Sequence, residues 1–454
     1  MRFDVRDKHI TIIGAARSGV AAAVLLKRHG ARVFVSDAGV IASQIKVRLE
    51  NWNIDYEEGG HSERALSAFF AVVSPGVPTE APPVQHYLKL HKPVYSEIEV
   101  ASWFTDQPIV GVTGTNGKTT VTRWLDHLWA TAGKTHDTSG NIGNAFSDVL
   151  NGEPRNGDLL LEISSFQLDH IDTFHPHIAL ILNITPDHLD RYQNSFEKYA
   201  AAKFRICENQ TAHDWFIYNQ DDPVTRRFAE QLSQRADHPS LLAFSLKGEV
   251  ERGAFLKNDR IMFNLENKTE ELMHAEELSL RGQHNLSNGL ATALAARSAE
   301  ISNRYIRESL KSFEGVEHRL ELVRVLDGVK YINDSKATNI NSVWYALDSI
   351  KEPLVLILGG RDKGNDYSTI LPLIKDKVHT LIAIGESKEK INSQLGNNVP
   401  DFLEANSMEE AVRLGRKNAT KNDVVLLSPA CSSFDMFDNY EHRGEVYKKA
   451  VKNL

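Results

Sequence analysis

The sequence predicts an α/β protein of three domains, and three observations predict it. The turn Gly111-Val112-Thr113-Gly114-Thr115-Asn116-Gly117-Lys118-Thr119-Thr120 follows the apolar run Ile109-Val110. It precedes a helix whose Val121, Trp124, Leu125, Leu128 and Trp129 recur at the spacing of one buried face. Further strand–turn–helix units lie on both sides of this turn, and several of their strands are continuous apolar runs, as parallel strands buried on both faces are. Finally, the chain has 454 residues, enough for about three domains of ordinary size.

Composition narrows the class. Hydrophobic residues at 41% and charged residues at 25% are those of a globular protein, and the net charge of -8 offers nothing to nucleic acid or an anionic membrane. No apolar run approaches the roughly 18 residues a membrane span needs, and Asp4, Arg6, Asp7 and Lys8 leave no room for a signal peptide. The only cysteines, Cys207 and Cys431, lack metal-ligand spacing and read as packing thiols of a reducing cytoplasm.

The first domain, residues 1–97, opens with the strand His9-Ile10-Thr11-Ile12-Ile13, the turn Gly14 to Gly19 and a helical run. A second strand from Arg32 ends at Asp37, placed like the acid that meets a ribose hydroxyl in a dinucleotide fingerprint. Ala16, however, takes the place of the glycine that lets backbone approach a pyrophosphate. The unit therefore reads as Rossmann-like without NAD, with a nucleotide diphosphate in another pose left open. A third strand, Phe69 to Val73, ends in Ser74-Pro75-Gly76, at the edge where open α/β sheets bind ligands.

The central domain, residues 98–315, carries the glycine-rich turn. Glycines let backbone N–H groups approach phosphate, the helix N-terminus adds partial positive charge, and Lys118 adds a full one. Thr119 is the hydroxyl placed to hold magnesium, and ATP is the ligand this P-loop predicts, although Val112 stands where the general pattern has a glycine. Glu162 and His188 follow two further strands toward the same edge. His188 reads equally as a loop histidine or as a magnesium-site group. Lys203 follows Tyr199 on a predicted helix and, by residue type, reads as a solvated lysine. Residues 241–280 read as a β-rich excursion. Asn285 and Asn288 share a face of the next helix's first turn, where they could cap it or present amides to a nucleotide.

The third domain, residues 316–454, is again Rossmann-like: strands over 329–332, 354–358, 381–384 and 424–427 each run into polar or glycine-rich loops. Lys336, Arg361 and Lys363 near that edge suit an anionic, carboxylate-bearing ligand.

Together these residues resemble the Mur ligases along essentially the full length. The resemblance rests on TGTNGKT (113–119), SGNIGN (139–144), EISSFQL (162–168), NITPDHLDRY (183–192), GQHNLSN (282–288), HR (318–319), DSKATN (334–339) and SPACSSFD (428–435). DSKATN and SPACSSFD point to the D-glutamate-adding branch. The resemblance implies an ATP-dependent amide ligase of peptidoglycan precursor synthesis, joining D-glutamate to UDP-N-acetylmuramoyl-L-alanine through an acyl phosphate. It implies that Arg17, Ser18, Asp37, Ser74, Pro75, Gly76, Asn141, Ser164 and Gln167 hold the UDP precursor. ATP would be held by Gly114, Thr115, Asn116, Gly117, Lys118, Thr119, Thr120, Asn285, Asn288, Arg319 and Asp334. Two Mg2+ sites would be built by Thr119, Glu162, His188 and Lys203, the lysine being carbamylated. D-Glutamate would meet Lys336, Thr338, Lys363, Ser433 and Tyr440, the last standing where a phenylalanine is familiar. Lys118, His188 and Lys203 would be the catalytic groups of a cytoplasmic monomer acting on small molecules. Alternatives are a folylpolyglutamate-synthase-like or other ligase of the same superfamily, or a P-loop nucleotide switch.

Overall fold

The structure, a computed structural model, describes residues 3–153, 156–265, 268–362 and 364–454. The chain divides into two compact units, residues 1–279 with 286–313, and residues 280–285 with 314–454. Among the described residues, no helix is long and apolar enough to cross a membrane.

The first unit contains two sheets. In the N-terminal one, β1 (His9–Ile13), β2 (Arg32–Asp37), β3 (Asp55–Glu58), β4 (Phe70–Val73) and β5 (Val94–Ser96) pair in the order β3-β2-β1-β4-β5. All are parallel. Val20 through Leu26 of the helix Arg17–Arg28 are buried, many of them against the sheet's Ile10, Ile12, Val33 and Val35. β3 and β5 escape the sequence reading because they are short, and β3 (Asp-Tyr-Glu-Glu) is an edge strand with no buried residue.

The central sheet comprises β6 (Ile109–Thr113), β7 (His136–Gly140), β8 (Asp158–Glu162), β9 (Ile178–Ile181), β10 (Trp215–Asn219), β11 (Ser240–Ser245), β12 (Gly253–Lys257), β13 (Arg260–Leu265) and β14 (Lys268–His274). Its order is β14-β13-β12-β11-β10-β9-β6-β8-β7. The pairs from β7 to β12 are parallel, while β12, β13 and β14 form the predicted β-rich excursion as an antiparallel meander. β6 lies between β8 and β9 and is buried along its length, and the helix Lys118–Thr131 buries Val121, Trp124, Leu125, Leu128 and Trp129 as the periodicity requires.

The second unit holds β15 (Glu321–Leu326), β16 (Val329–Asn333), β17 (Leu354–Gly359), β18 (Val378–Ile384), β19 (Asp401–Ala405) and β20 (Val424–Leu427), ordered β15-β16-β20-β17-β18-β19. Only β15, hairpinned onto β16, is antiparallel. The four strands read from sequence are its centre, and the two edge strands, less apolar, are the ones the sequence hid.

Candidate functional site

At the end of β6 the chain turns through Gly114 (φ 147°) to Gly117 (φ 89°), conformations that L side chains rarely adopt. A Cβ on Gly117 would lie 2.6 Å from Asn288 Oδ1, so only glycine lets the helix 283–298 approach this closely. Asn183, just past β9, fixes the loop from below. Its Oδ1 accepts from Asn116 N at 2.9 Å, its Nδ2 donates to Asn116 O at 3.0 Å, and its carbonyl accepts from Thr115 N at 2.9 Å. The Thr115 hydroxyl donates to Thr185 O at 3.0 Å and lies 3.1 Å from the Tyr199 hydroxyl. Asn183 and Tyr199 shape the cradle although sequence reasoning gave them no role. The signal available was Asn183's place at the exit of an apolar strand next to the one that carries the loop.

Two lysines meet one carbonyl. Lys118 Nζ donates to Gly114 O and Thr115 O, both at 2.8 Å, and Lys203 Nζ donates to Gly114 O at 2.9 Å. Lys203 is 2% exposed, which corrects the reading of a solvated helix lysine. It lies one turn beyond the buried Tyr199 on the helix Phe196–Phe204, and that spacing was the visible signal. Burial first, then the neighbouring Lys118 charge, drives its pKa well below the usual lysine range.

Glu162, at the end of β8, stands beside Val112 in the sheet. Its Oε1 accepts from Asn141 Nδ2 at 2.8 Å, while Oε2 is buried with no hydrogen-bond partner among the described residues. His188 has φ 50° at the head of the turn Leu189–Tyr192. Its ring meets Phe166 edge-on at 5.1 Å, and Nε2 lies 3.8 Å from Asp187 Oδ2. Thr119 is half-buried and Thr120 buried in the first turn of the P-loop helix.

The N-terminal candidates gather around the β1 turn. Both oxygens of Asp37 are engaged by backbone, from Ala15 N at 2.6 Å and Gly39 N at 2.7 Å, so this acid braces the turn. Ser74 Oγ donates to Gly14 O at 2.7 Å, and Ser18 is buried. Arg17 Nη1 reaches Gly143 O at 2.5 Å, joining this turn to the SGNIGN loop that holds Asn141. Arg191 donates to Pro75 O at 2.8 Å and Val77 O at 3.0 Å, and so ties the Ser74-Pro75-Gly76 turn to the His188 segment. Gln167 Oε1 accepts from both N and Oγ of Ser164, at 3.0 Å each, and caps the short helix there.

In the second unit Asp334 follows β16. Its Oδ1 accepts from Leu320 N at 3.2 Å and its Oδ2 from Ser428 Oγ at 2.8 Å. Burial, opposed by the Arg319 charge, pushes its pKa up to about 6. Lys336 Nζ donates to the Tyr440 hydroxyl at 3.2 Å and lies over its ring. Thr338 N donates to Lys336 O, the Ser433 carbonyl accepts from Met436 N and Phe437 N, and Lys363 lies outside the described residues. Asn285 Nδ2 donates to Arg281 O at 2.8 Å, and Asn288 sits a turn into its helix, so neither amide serves as the N-cap considered from sequence. Sequence reasoning also missed Arg443. Buried at 1% exposure, it donates to Ser335 Oγ, Ser335 O and Cys431 O, joining the two loops that bear the D-glutamate candidates. Glu317, His318 and Glu445 cluster nearby, but the Lys448 ammonium already pairs with both acids.

The glycine-rich turn, its lysines and the buried Glu162 carboxylate are an arrangement of the class that phosphoryl transfer calls for. The comparisons with known proteins agree with that class. The profile described as "MurD N-terminal domain" matches residues 9–82, "Mur ligase middle domain" residues 112–296, and "Mur ligase, glutamate ligase domain" residues 318–431. The chain is 48% identical to a Salinibacter ruber protein and 47% identical to one from Chloroherpeton thalassium, over 99% of each chain. Both are named UDP-N-acetylmuramoylalanine–D-glutamate ligase. Among solved structures, the fold is similar to the UDP-N-acetylmuramate-alanine ligase MurC of Thermotoga maritima, with TM-score 0.62 and 18% identity over 98% of this chain and 99% of that one. The chain belongs to the Mur ligase family.

Proposed function

We propose that this chain is an ATP-dependent ligase that adds D-glutamate to UDP-N-acetylmuramoyl-L-alanine in peptidoglycan precursor synthesis. Relatives that match it end to end are named for that activity. The structural observation that carries the reading is the convergence of Lys118 and Lys203 on the Gly114 carbonyl, in the cradle that the glycine-rich turn builds.

In this reading residues 1–97 hold the UDP precursor, residues 98–315 hold ATP, and residues 316–454 hold D-glutamate. Arg17, Ser18, Asp37, Asn141 and the Ser74-Pro75-Gly76 turn border the precursor site, with Ser164 and Gln167 as further contacts. The loop from Gly114 to Thr120 receives the ATP phosphates, and Asn285, Asn288, Arg319 and Asp334 serve the nucleotide. Lys336, Thr338, Ser433 and Tyr440 receive D-glutamate, and Lys363 joins them by resemblance alone.

The donor set fits magnesium, because Glu162 Oε2 is a buried carboxylate oxygen with no hydrogen-bond partner among the described residues. Thr119, Glu162 and His188 would hold the metal, in two sites with Lys203. Bound there, it would neutralise charge on the transferring phosphoryl group. Lys118 supplies the same kind of stabilisation from the loop, a positioned cation where charge develops. The L-alanyl carboxylate of the precursor attacks the γ-phosphorus of ATP, the bond to ADP breaks, and an acyl phosphate forms. The D-glutamate amine, having lost its proton, attacks the acyl carbon and phosphate leaves. In this reading His188, at φ 50° before the turn Leu189–Tyr192, would orient a reacting group at this edge. The low pKa of Lys203 favours the neutral amine, whose lone pair can add to CO2 with loss of a proton, giving a carbamate anion.

Phosphate release from ATP, measured with the precursor and one amino acid at a time, tests the reading. Release that requires both the precursor and D-glutamate is expected. Release indifferent to precursor and amino acid would identify a plain nucleotide hydrolase instead. The enzyme is further read as a cytoplasmic monomer, and a dimer mass in sedimentation at assay concentration would contradict the latter.

A further inference from the structure

The opposite edge of the central sheet carries a cavity that the ligation does not use. Its volume is about 500 Å³, within the range of small-molecule sites. Pro108, just before β6, and Asp158, Ile178 and Trp215, the first residues of β8, β9 and β10, line it. The P-loop follows the other end of β6, a strand of five residues, so the two sites are separated by roughly 16 Å of strand.

The lining has two parts. Pro108, Val110, Ile178, Trp215, Leu242 and Leu265 give an apolar floor with one indole. Around it stand Lys134, Arg252 and Arg297, with one further acid, Glu300, and His177. The charge of Lys134 is already matched, since Nζ lies 3.1 Å from Asp158 Oδ2 and donates to Ala299 O at 3.0 Å. Asp158 Oδ2 also accepts from Trp129 Nε1 at 2.6 Å. The two arginines differ: among the described residues neither is held in a salt bridge. Arg252 lies over the Trp215 ring, its Cζ 5.1 Å from the centroid, so the indole helps to hold the guanidinium at the cavity before any ligand arrives.

We propose that this cavity is a second small-molecule site, taking an organic anion with a flat unsaturated ring. The ring packs among Trp215, Leu242 and Leu265, and a carboxylate or phosphate meets Arg252 and Arg297. An apolar floor alone would accept neutral rings equally; the two guanidinium groups, together outweighing the Glu300 carboxylate, are what select the anion.

The test is calorimetric titration of the full chain with naphthalene-2-carboxylate and, in a parallel arm, 2-naphthyl phosphate, each with and without saturating ADP and magnesium. The expected result is one saturable site per chain for at least one of the two anions, with affinity unchanged by ADP, and the stronger arm identifies the head group. Binding should weaken at least about tenfold for the neutral naphthalene-2-methanol and in the Arg252→Ala, Arg297→Ala double variant. Leu265→Trp, which fills the cavity and keeps both charges, should also lose binding. Unchanged melting temperature and ligase turnover would show that the variants fold. No saturable binding of either anion, displacement by ADP, or equal affinity for the neutral alcohol or in the folded variants would overturn the proposal.

Discussion

Lys118 and Lys203 reach the same carbonyl from two helices, and the consequences differ with burial. Lys118 is half-buried at the loop, whereas Lys203 is enclosed, and both burial and the Lys118 charge press it toward the neutral amine. A buried lysine pressed toward its neutral form differs chemically from a surface lysine, and carbamate formation is the reaction that form offers to CO2. Protein equilibrated with 13C-bicarbonate is expected to show a carbamate resonance that is absent in Lys203→Arg, whose guanidinium forms no such adduct. Equal signals in both proteins, or none in the parent, would contradict this. Burial of Lys203 was hard to read because lysine is almost never fully buried. Residue type outweighed the spacing that puts it one turn beyond Tyr199.

At the scale of elements, the strands that position the site were legible because they are continuous apolar runs: β1, β4, β6, β8 and β9 all bury three or more consecutive residues. β7, β15 and β19 were not, since strands of mixed polarity look like loops without their neighbours. The linker helix Glu97–Ser102 shows the same limit. Nothing in its sequence distinguishes Glu99 from a surface acid, yet Glu99 is fully buried. Its carboxylate accepts from Trp103 Nε1, from the backbone N–H groups of Asp172, Thr173 and Phe174, and from the Thr173 hydroxyl. It thereby fastens the linker between the first two sheets to the loop before β9. Glu99→Leu strands those donors, and a loss of about 3–5 kcal/mol is expected in urea denaturation. A change below about 1 kcal/mol would show that the donors find other partners.

For the molecule as a whole, Glu97 on that same helix makes stability depend on pH. Its Oε1 accepts from Ser147 N at 2.5 Å, and its Oε2 is buried without a hydrogen-bond partner among the described residues. Burial raises its pKa from 4.5 to about 7, with Asp148 adding to the rise and Arg17 opposing it. Between those values the folded chain keeps a proton that the unfolded chain has released. This contribution therefore falls as pH rises from about 4.5 to 7, by up to about 3 kcal/mol, and stays low above. Glu97→Gln keeps the acceptor without the charge. It is expected to raise the urea midpoint at pH 8 and to matter little at pH 4.5; an equal effect at both would contradict the assignment. The family and the three sheets could be read along the whole chain from motifs at strand ends. The clamps made by Asn183, Arg191 and Arg443 could not, because each joins segments far apart in sequence.

The most direct measurement is the mass of the uridine-bearing product after incubation with ATP, magnesium, UDP-N-acetylmuramoyl-L-alanine and either D- or L-glutamate. The account predicts that the precursor gains one glutamyl residue with the D enantiomer only, together with ADP. An unchanged precursor with D-glutamate, or equal gain with both enantiomers, would contradict it.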